Sequence, residues 1–191
     1  MADVAAAIEA AATHGENAGG HVALVGFCSG ADNALYVGSA DPRVSRLLLF
    51  DPALPRTRGF YRRELWRMLT TIRGLAHLLS AGPLRVRLRR WAARRNLERR
   101  PPGYYGLLVS RGQEMDYRAL QVVQRGGLLE LVFSVGVQYY CNAPRQIPEA
   151  LPRTSVSKRL HWTWAPHLDH VLGSRAQVQW FVQHAIDWLR R

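Results

Sequence analysis

The chain has 191 residues, 48% of them hydrophobic and 21% charged, the composition of one globular domain with enough apolar side chains for a substantial core. No stretch approaches the roughly 18 consecutive apolar residues of a membrane span. The N-terminal MADVAAAIEAAATHGENAGG lacks the basic-then-apolar layout of a secretory signal, so a cytoplasmic protein with free thiols at Cys28 and Cys141 is expected. The net charge of +12 raises the question of nucleic-acid or anionic-membrane partners. Lys158 is the only lysine, however, a bias toward arginine that a GC-rich genome produces without any binding surface, and no nucleic-acid partner is expected.

Asp3 to His14 is alanine-rich and reads as a helix, stopped by Gly15, Gly19 and Gly20. Val22 to Val25 reads as a strand buried on both faces, and Ala31 to Val37 carries apolar residues at helical spacing. Asp41-Pro42-Arg43 makes a turn into a second strand, Val44 to Phe50, and strand, helix, strand in so short a span means a parallel sheet. From Arg58 to about Arg100 the pattern changes to arginine-rich amphipathic helices, broken at Gly82-Pro83 and ended at Pro101-Pro102-Gly103. Within them Arg85 to Arg100 holds eight arginines. Leu84, Leu88 and Trp91 fall at helical spacing there, which an amphipathic, solvated helix explains and an anionic membrane surface would also accept. Sheet character returns at Leu128 to Ser134, followed by a loop with Tyr139, Tyr140 and Cys141, a short helix near Gln146 to Ala150 and a strand at Lys158 to Trp164. The last helix runs from about Ser174 to Leu189, and its expected buried face is Val178, Phe181, Val182, Ala185, Ile186 and Leu189.

The segment from Val22 to Asp32, VALVGFCSGAD, carries the chemistry. A strand that turns sharply into a helix forces the residue at the turn into a strained backbone and lifts its side chain above the sheet edge, and glycines two residues to either side let the neighbouring backbone pass. Cys28 holds that position between Gly26 and Gly30, which makes it the expected nucleophile. The start of the following helix would lower the thiol pKa and stabilise a developing oxyanion, with the backbone N–H of Ser29 as the donor.

GFCSGA at Gly26 to Ala31, the strand ending in Phe50-Asp51-Pro52, the helical insertion after it and Asp169-His170 between the last strand and the last helix resemble the α/β-hydrolase superfamily. The nearest likeness is to members with a cysteine at the elbow, such as dienelactone hydrolases, and to serine-aminopeptidase-like members with a helical cap. The resemblance implies an α/β fold with a mostly parallel sheet. Residues 1–57 and 117–191 would form the core and residues 58–116 the inserted cap. It also implies the order nucleophile, acid, histidine, which places Cys28 as nucleophile and His170 as base. His167 is the alternative base, while His161 within a strand and His184 along the last helix read as structural. The acid stays open. The segment after Leu128 to Ser134 has no carboxylate, Asp51 at the end of the second strand is the other candidate, and a cysteine–histidine dyad without an acid is chemically sufficient because a thiol needs little activation. No cofactor and no metal is implied.

A complete member of that superfamily has strands before the elbow strand and a loop that supplies a second oxyanion N–H. Here the elbow strand follows a single helix, so the chain reads as N-terminally truncated, with that strand at an open sheet edge that a second copy or another partner would cover. The expected function is hydrolysis of an ester, thioester, lactone or amide bond in a small acyl or ester substrate through a covalent intermediate on Cys28. The cap residues Phe60, Tyr61, Trp66, Leu69 and Ile72 would cover the pocket. The alternatives are a non-catalytic α/β-hydrolase-like protein acting in association and, third, an arginine-rich nucleic-acid or membrane binder using Arg85 to Arg100.

Overall fold

The computed structural model describes residues 2–13, 20–71 and 112–191. Four strands, β1 (Val22–Phe27), β2 (Val44–Phe50), β3 (Leu128–Ser134) and β4 (Leu160–Ala165), form one sheet in that order, with every pair parallel. The helices are α1 (Ala2–Thr13), α2 (Ser29–Ala40), α3 (Arg58–Thr70), α4 (Gly112–Gln124), α5 (Gln146–Ala150) and α6 (Arg175–Leu189). The α/β fold with a parallel sheet is therefore as expected from the sequence. Residues 72–111, which include Ile72, the Gly82-Pro83 break and the Arg85 to Arg100 run, lie outside the described residues.

The core follows from β2 and β3. Successive side chains of a strand point to opposite faces, so the run Leu47, Leu48, Leu49, Phe50, all fully buried, must have cover on both sides. Leu47 and Leu49 join Leu129, Leu131 and Phe133 of β3 against Ala31 and Leu35 of α2, Met115, Ala119 and Val122 of α4, Ile8 of α1 and Ile147 of α5. Leu48, Phe50 and Val132 meet Phe181 and Trp188 of α6 on the other face. Thr57 caps α3 by accepting from the Phe60 amide, and Ser174 caps α6 by accepting from the Gln177 amide.

Two expectations about apolar faces are corrected. β1 does lie at the edge of the sheet, and among the described residues no strand pairs its outer side. It is not buried on both faces: Val22 and Gly26 are buried, whereas Ala23, Val25 and Phe27 are exposed. The last helix likewise buries Phe181 and Trp188 but leaves Val178, Val182, Ile186 and Leu189 between 37% and 49% exposed. Both departures have one cause. Phe181 meets Phe50 edge-on and Phe27 at a tilt, with ring centroids at 5.3 and 4.6 Å, and His184 reaches Glu130 on β3, so α6 sits over the middle of the sheet. The rest of its apolar stripe has no sheet beneath it.

This arrangement separates two substitutions that the sequence pattern alone would treat alike. Phe181→Ala should cost about 3–5 kcal/mol of stability, while Val178→Ser with Val182→Ser should change it by less than about 1 kcal/mol. Urea unfolding of the two variants beside the wild type checks this, and comparable losses in both would place the stripe in the core after all.

Candidate active site

Cys28 follows the last residue of β1 and precedes the first of α2, and the chain reverses there with Cys28 at φ 52° and ψ −119°. A non-glycine residue held so costs roughly 1–3 kcal/mol, which the neighbouring bonds must offset. The Cys28 amide donates to the Phe50 carbonyl at 2.8 Å, and the Cys28 carbonyl accepts from the Ala31 and Asp32 amides at 3.0 and 3.4 Å. Gly26 makes the reversal possible, since a Cβ there would lie 2.6 Å from the Ala31 Cα. Gly30 has no such duty, because a Cβ on it would meet nothing within 4 Å, so only one of the two bracketing glycines is sterically required. The thiol is exposed and free. Among the described residues it makes no hydrogen bond. At the start of α2 the amides of Ser29 and Gly30 have no acceptor within the helix, which leaves them available to an anion beside Cys28.

Asp51 occupies the equivalent point one strand over. Phe27 pairs with Phe50 in register, so the residues that follow them, Cys28 and Asp51, leave the sheet side by side, and Asp51 likewise has a positive φ, 51°. Its side chain is 1% exposed. Oδ1 accepts from the Ser134 amide at 2.7 Å; Oδ2 accepts from the Ser134 hydroxyl at 2.6 Å and meets His170 Nδ1 at 2.8 Å. Because a carboxylate can only accept, this contact puts the imidazole proton on Nδ1 and leaves Nε2 free to take another. The Asp51 carbonyl accepts from the Tyr140 hydroxyl at 2.9 Å, which fixes the backbone as well as the side chain.

The loop after β4 delivers His170. Asp169 beside it accepts from the Val171 and Gly173 amides at 2.9 and 3.1 Å, bonds that hold its carboxyl below the usual range and shape the turn. Gly136, just past β3, gives the loop room, since a Cβ there would stand 2.7 Å from the His170 Cβ. The alternative base, His167, sets its ring edge-on to Trp180 at 5.0 Å, and His184 bonds the buried Glu130 at 2.8 Å. His161 is an exposed residue of β4. Cys141 is buried, and burial pushes its thiol up to about 12. Among the described residues no cluster of three or more His, Cys, Asp or Glu could hold a metal ion.

The sequence reading missed Ser134, Gly136, Tyr139 and Asp32. Ser134 is a polar residue closing an apolar strand, the one local signal that it has a partner. Tyr139 is 64% exposed beside the site. Of the residues expected in the cap, Phe60 is buried, Tyr61, Trp66 and Leu69 are exposed, and Ile72 lies outside the described residues. No helix among the described residues is long and apolar enough to cross a membrane. No protein-family model and no curated protein matches the chain.

Asp32 ties the site together from α2. Its Oδ1 accepts from the Ala53 amide at 2.9 Å, pinning the loop that leaves Asp51, and burial nevertheless pushes its carboxyl up to about 6 from the ordinary 3.8. A carboxyl whose folded pKa is raised holds its proton longer in the folded state. Its contribution to stability is therefore full below about pH 4 and is lost as pH rises to about 6. Asp32→Asn keeps the acceptor and removes the ionisation. Urea titrations should show the variant equal to wild type near pH 4 and more stable by roughly 2 kcal/mol at pH 8; a pH-independent difference would contradict the burial argument.

Proposed function

We propose that the chain is a hydrolase of α/β-hydrolase type that cleaves an ester, thioester, lactone or amide bond in a small acyl substrate. One observation carries the reading: the buried Asp51 carboxyl holds His170 Nδ1 at 2.8 Å, one strand away from the strained turn that presents Cys28. In this scheme Cys28 Sγ attacks the substrate carbonyl carbon and its proton passes to His170 Nε2. The oxyanion is held by the Ser29 amide, and the proton then goes from His170 to the leaving group as the carbon–heteroatom bond breaks. Water, deprotonated by His170, attacks the resulting thioester, releases the acid and returns the thiol. Asp51 acts through His170 by fixing its tautomer and stabilising the imidazolium. A reducing cytoplasm suits this chemistry, because the nucleophile must remain a free thiol.

A second reading, a non-catalytic relative acting in association, is favoured by the open β1 edge, where Ala23, Val25 and Phe27 are exposed and a second copy of the chain or another protein could pair. Hydrolysis of a short-chain nitrophenyl ester separates the two. The first reading expects a burst and turnover that vanish in Cys28→Ala and His170→Ala and fall roughly 10²–10⁴-fold in Asp51→Asn, with iodoacetamide alkylating Cys28 far faster than Cys141. Equal background rates in all four proteins, or equally slow alkylation, would favour association.

A further inference from the structure

Helix α3 turns apolar side chains outward and polar ones toward the fold. Its inward side is held largely by polar contacts: Arg63 bonds Glu149 at 2.9 Å and Asn142 at 2.8 Å, Asn142 donates to the Phe60 carbonyl and to Glu64, and Thr57 bonds Glu149. Phe60 alone of the helix is buried. Tyr61, Leu65 and Leu69 recur every four residues and so form one stripe, and it faces outward: they are 54%, 49% and 48% exposed, with Trp66 beside them at 68%. Arg58 and Arg62 fall on that side as well, and no acidic residue does. Beside the stripe runs a groove of about 490 Å³ whose lining joins Leu65, Trp66 and Leu69 to Arg62 and, from the loop before α5, Arg145. Neither Arg62 nor Arg145 forms an ion pair among the described residues.

We propose that this face of α3 docks on the surface of an anionic phospholipid bilayer. Leucines and the bodies of Trp66 and Tyr61 belong at the headgroup–acyl boundary, where the indole N–H and phenol O–H remain at the wet end. Arg58, Arg62 and Arg145 reach from their apolar stems to phosphates. The leucines decide against a nucleic acid, since neither bases nor phosphates reward Leu65 and Leu69. The site is independent of Cys28 and does not rest on its chemistry.

The test is co-sedimentation of the full chain with vesicles of phosphatidylglycerol and phosphatidylcholine in equal parts, beside vesicles of phosphatidylcholine alone. Binding to the anionic vesicles only, weakening as salt rises, is expected. Trp66→Ser with Leu69→Ser should weaken it at least about tenfold. Arg62→Gln with Arg145→Gln should weaken it roughly thirtyfold at low salt. All four residues are exposed, so circular dichroism and thermal melts should match wild type. Val178→Ser with Val182→Ser, on the other exposed apolar stripe, should leave binding unchanged. The proposal is overturned if the chain ignores anionic vesicles, if the α3 variants bind as wild type does, or if the α6 variant loses binding equally. It also fails if a single-stranded RNA oligonucleotide binds the chain through the same α3 residues and displaces it from vesicles.

Discussion

Asp51 is the residue on which the arrangement of strand ends depends. A carboxyl group 1% exposed is tolerable only when its oxygens are occupied, and here the occupants come from two other parts of the sheet: the amide and hydroxyl of Ser134 at the end of β3, and His170 from the loop after β4. The backbone of the same residue donates to Val132 and accepts from Tyr140. One side chain thus aligns the C-terminal ends of β2, β3 and the β4 loop, and Cys28 is brought beside it because Phe27 and Phe50 are in register. The Ser134 hydroxyl is itself satisfied on both counts, donating to Asp51 and accepting from the Gly136 amide at 3.1 Å. Any change at Asp51 therefore reaches at least three loops.

What the sequence could and could not disclose follows from range. The short strand–helix–strand span from Val22 to Phe50 requires a crossover, and that requirement yields a parallel sheet without knowledge of any partner. Cys28 and His170 were legible as candidates, and Asp51 as one of the options left open, because each stands where a strand ends or a loop returns, and strand ends of a parallel sheet share one edge. Which carboxylate partnered His170 was not legible, since Asp51 and His170 are 119 residues apart and Ser134 is 83 from Asp51. The buried face of α6 was misread for a different reason. Periodicity reports an apolar stripe, and the stripe's width exceeds the sheet that meets it, so Val178, Val182, Ile186 and Leu189 face outward although their spacing is that of a core.

The high positive charge has a structural explanation over much of the described chain. Arg125 reaches the Gly38, Ser39 and Val44 carbonyls, covering the C-terminal end of α2, where carbonyls lack helical partners and a cation is favoured by the helix dipole. Arg46 donates to the Trp188 carbonyl at the end of α6, and Arg159 to the Gly126 carbonyl in the turn before β3. Arg118 joins Glu114, Ser39 and the ring of Tyr36, and Arg153 joins Asp116. These guanidinium groups connect elements, Arg125 and Arg118 through two or more donors each, a use for which lysine is poorly suited. Against that background the arginines of α3's outer side stand out, because they are turned from the fold instead of into it.

On the proposed reading, the place of Cys28 on the edge strand bears directly on its residue type. Among the described residues β1 is held by β2 on one side only and the amides beside Cys28 come from α2, so an oxyanion there would be stabilised by neighbouring donors of a single helix start. Losing one well-placed donor costs on the order of 10²–10³ in rate. A serine at this position would depend on full activation of a poor nucleophile in addition to that loss. A thiol ionises far more readily and attacks well as the anion, so it asks less of both the base and the oxyanion site. If the proposed acyl transfer holds, cysteine at the turn, with His170 oriented by a fully occupied Asp51, is the combination suited to a site at the end of an edge strand.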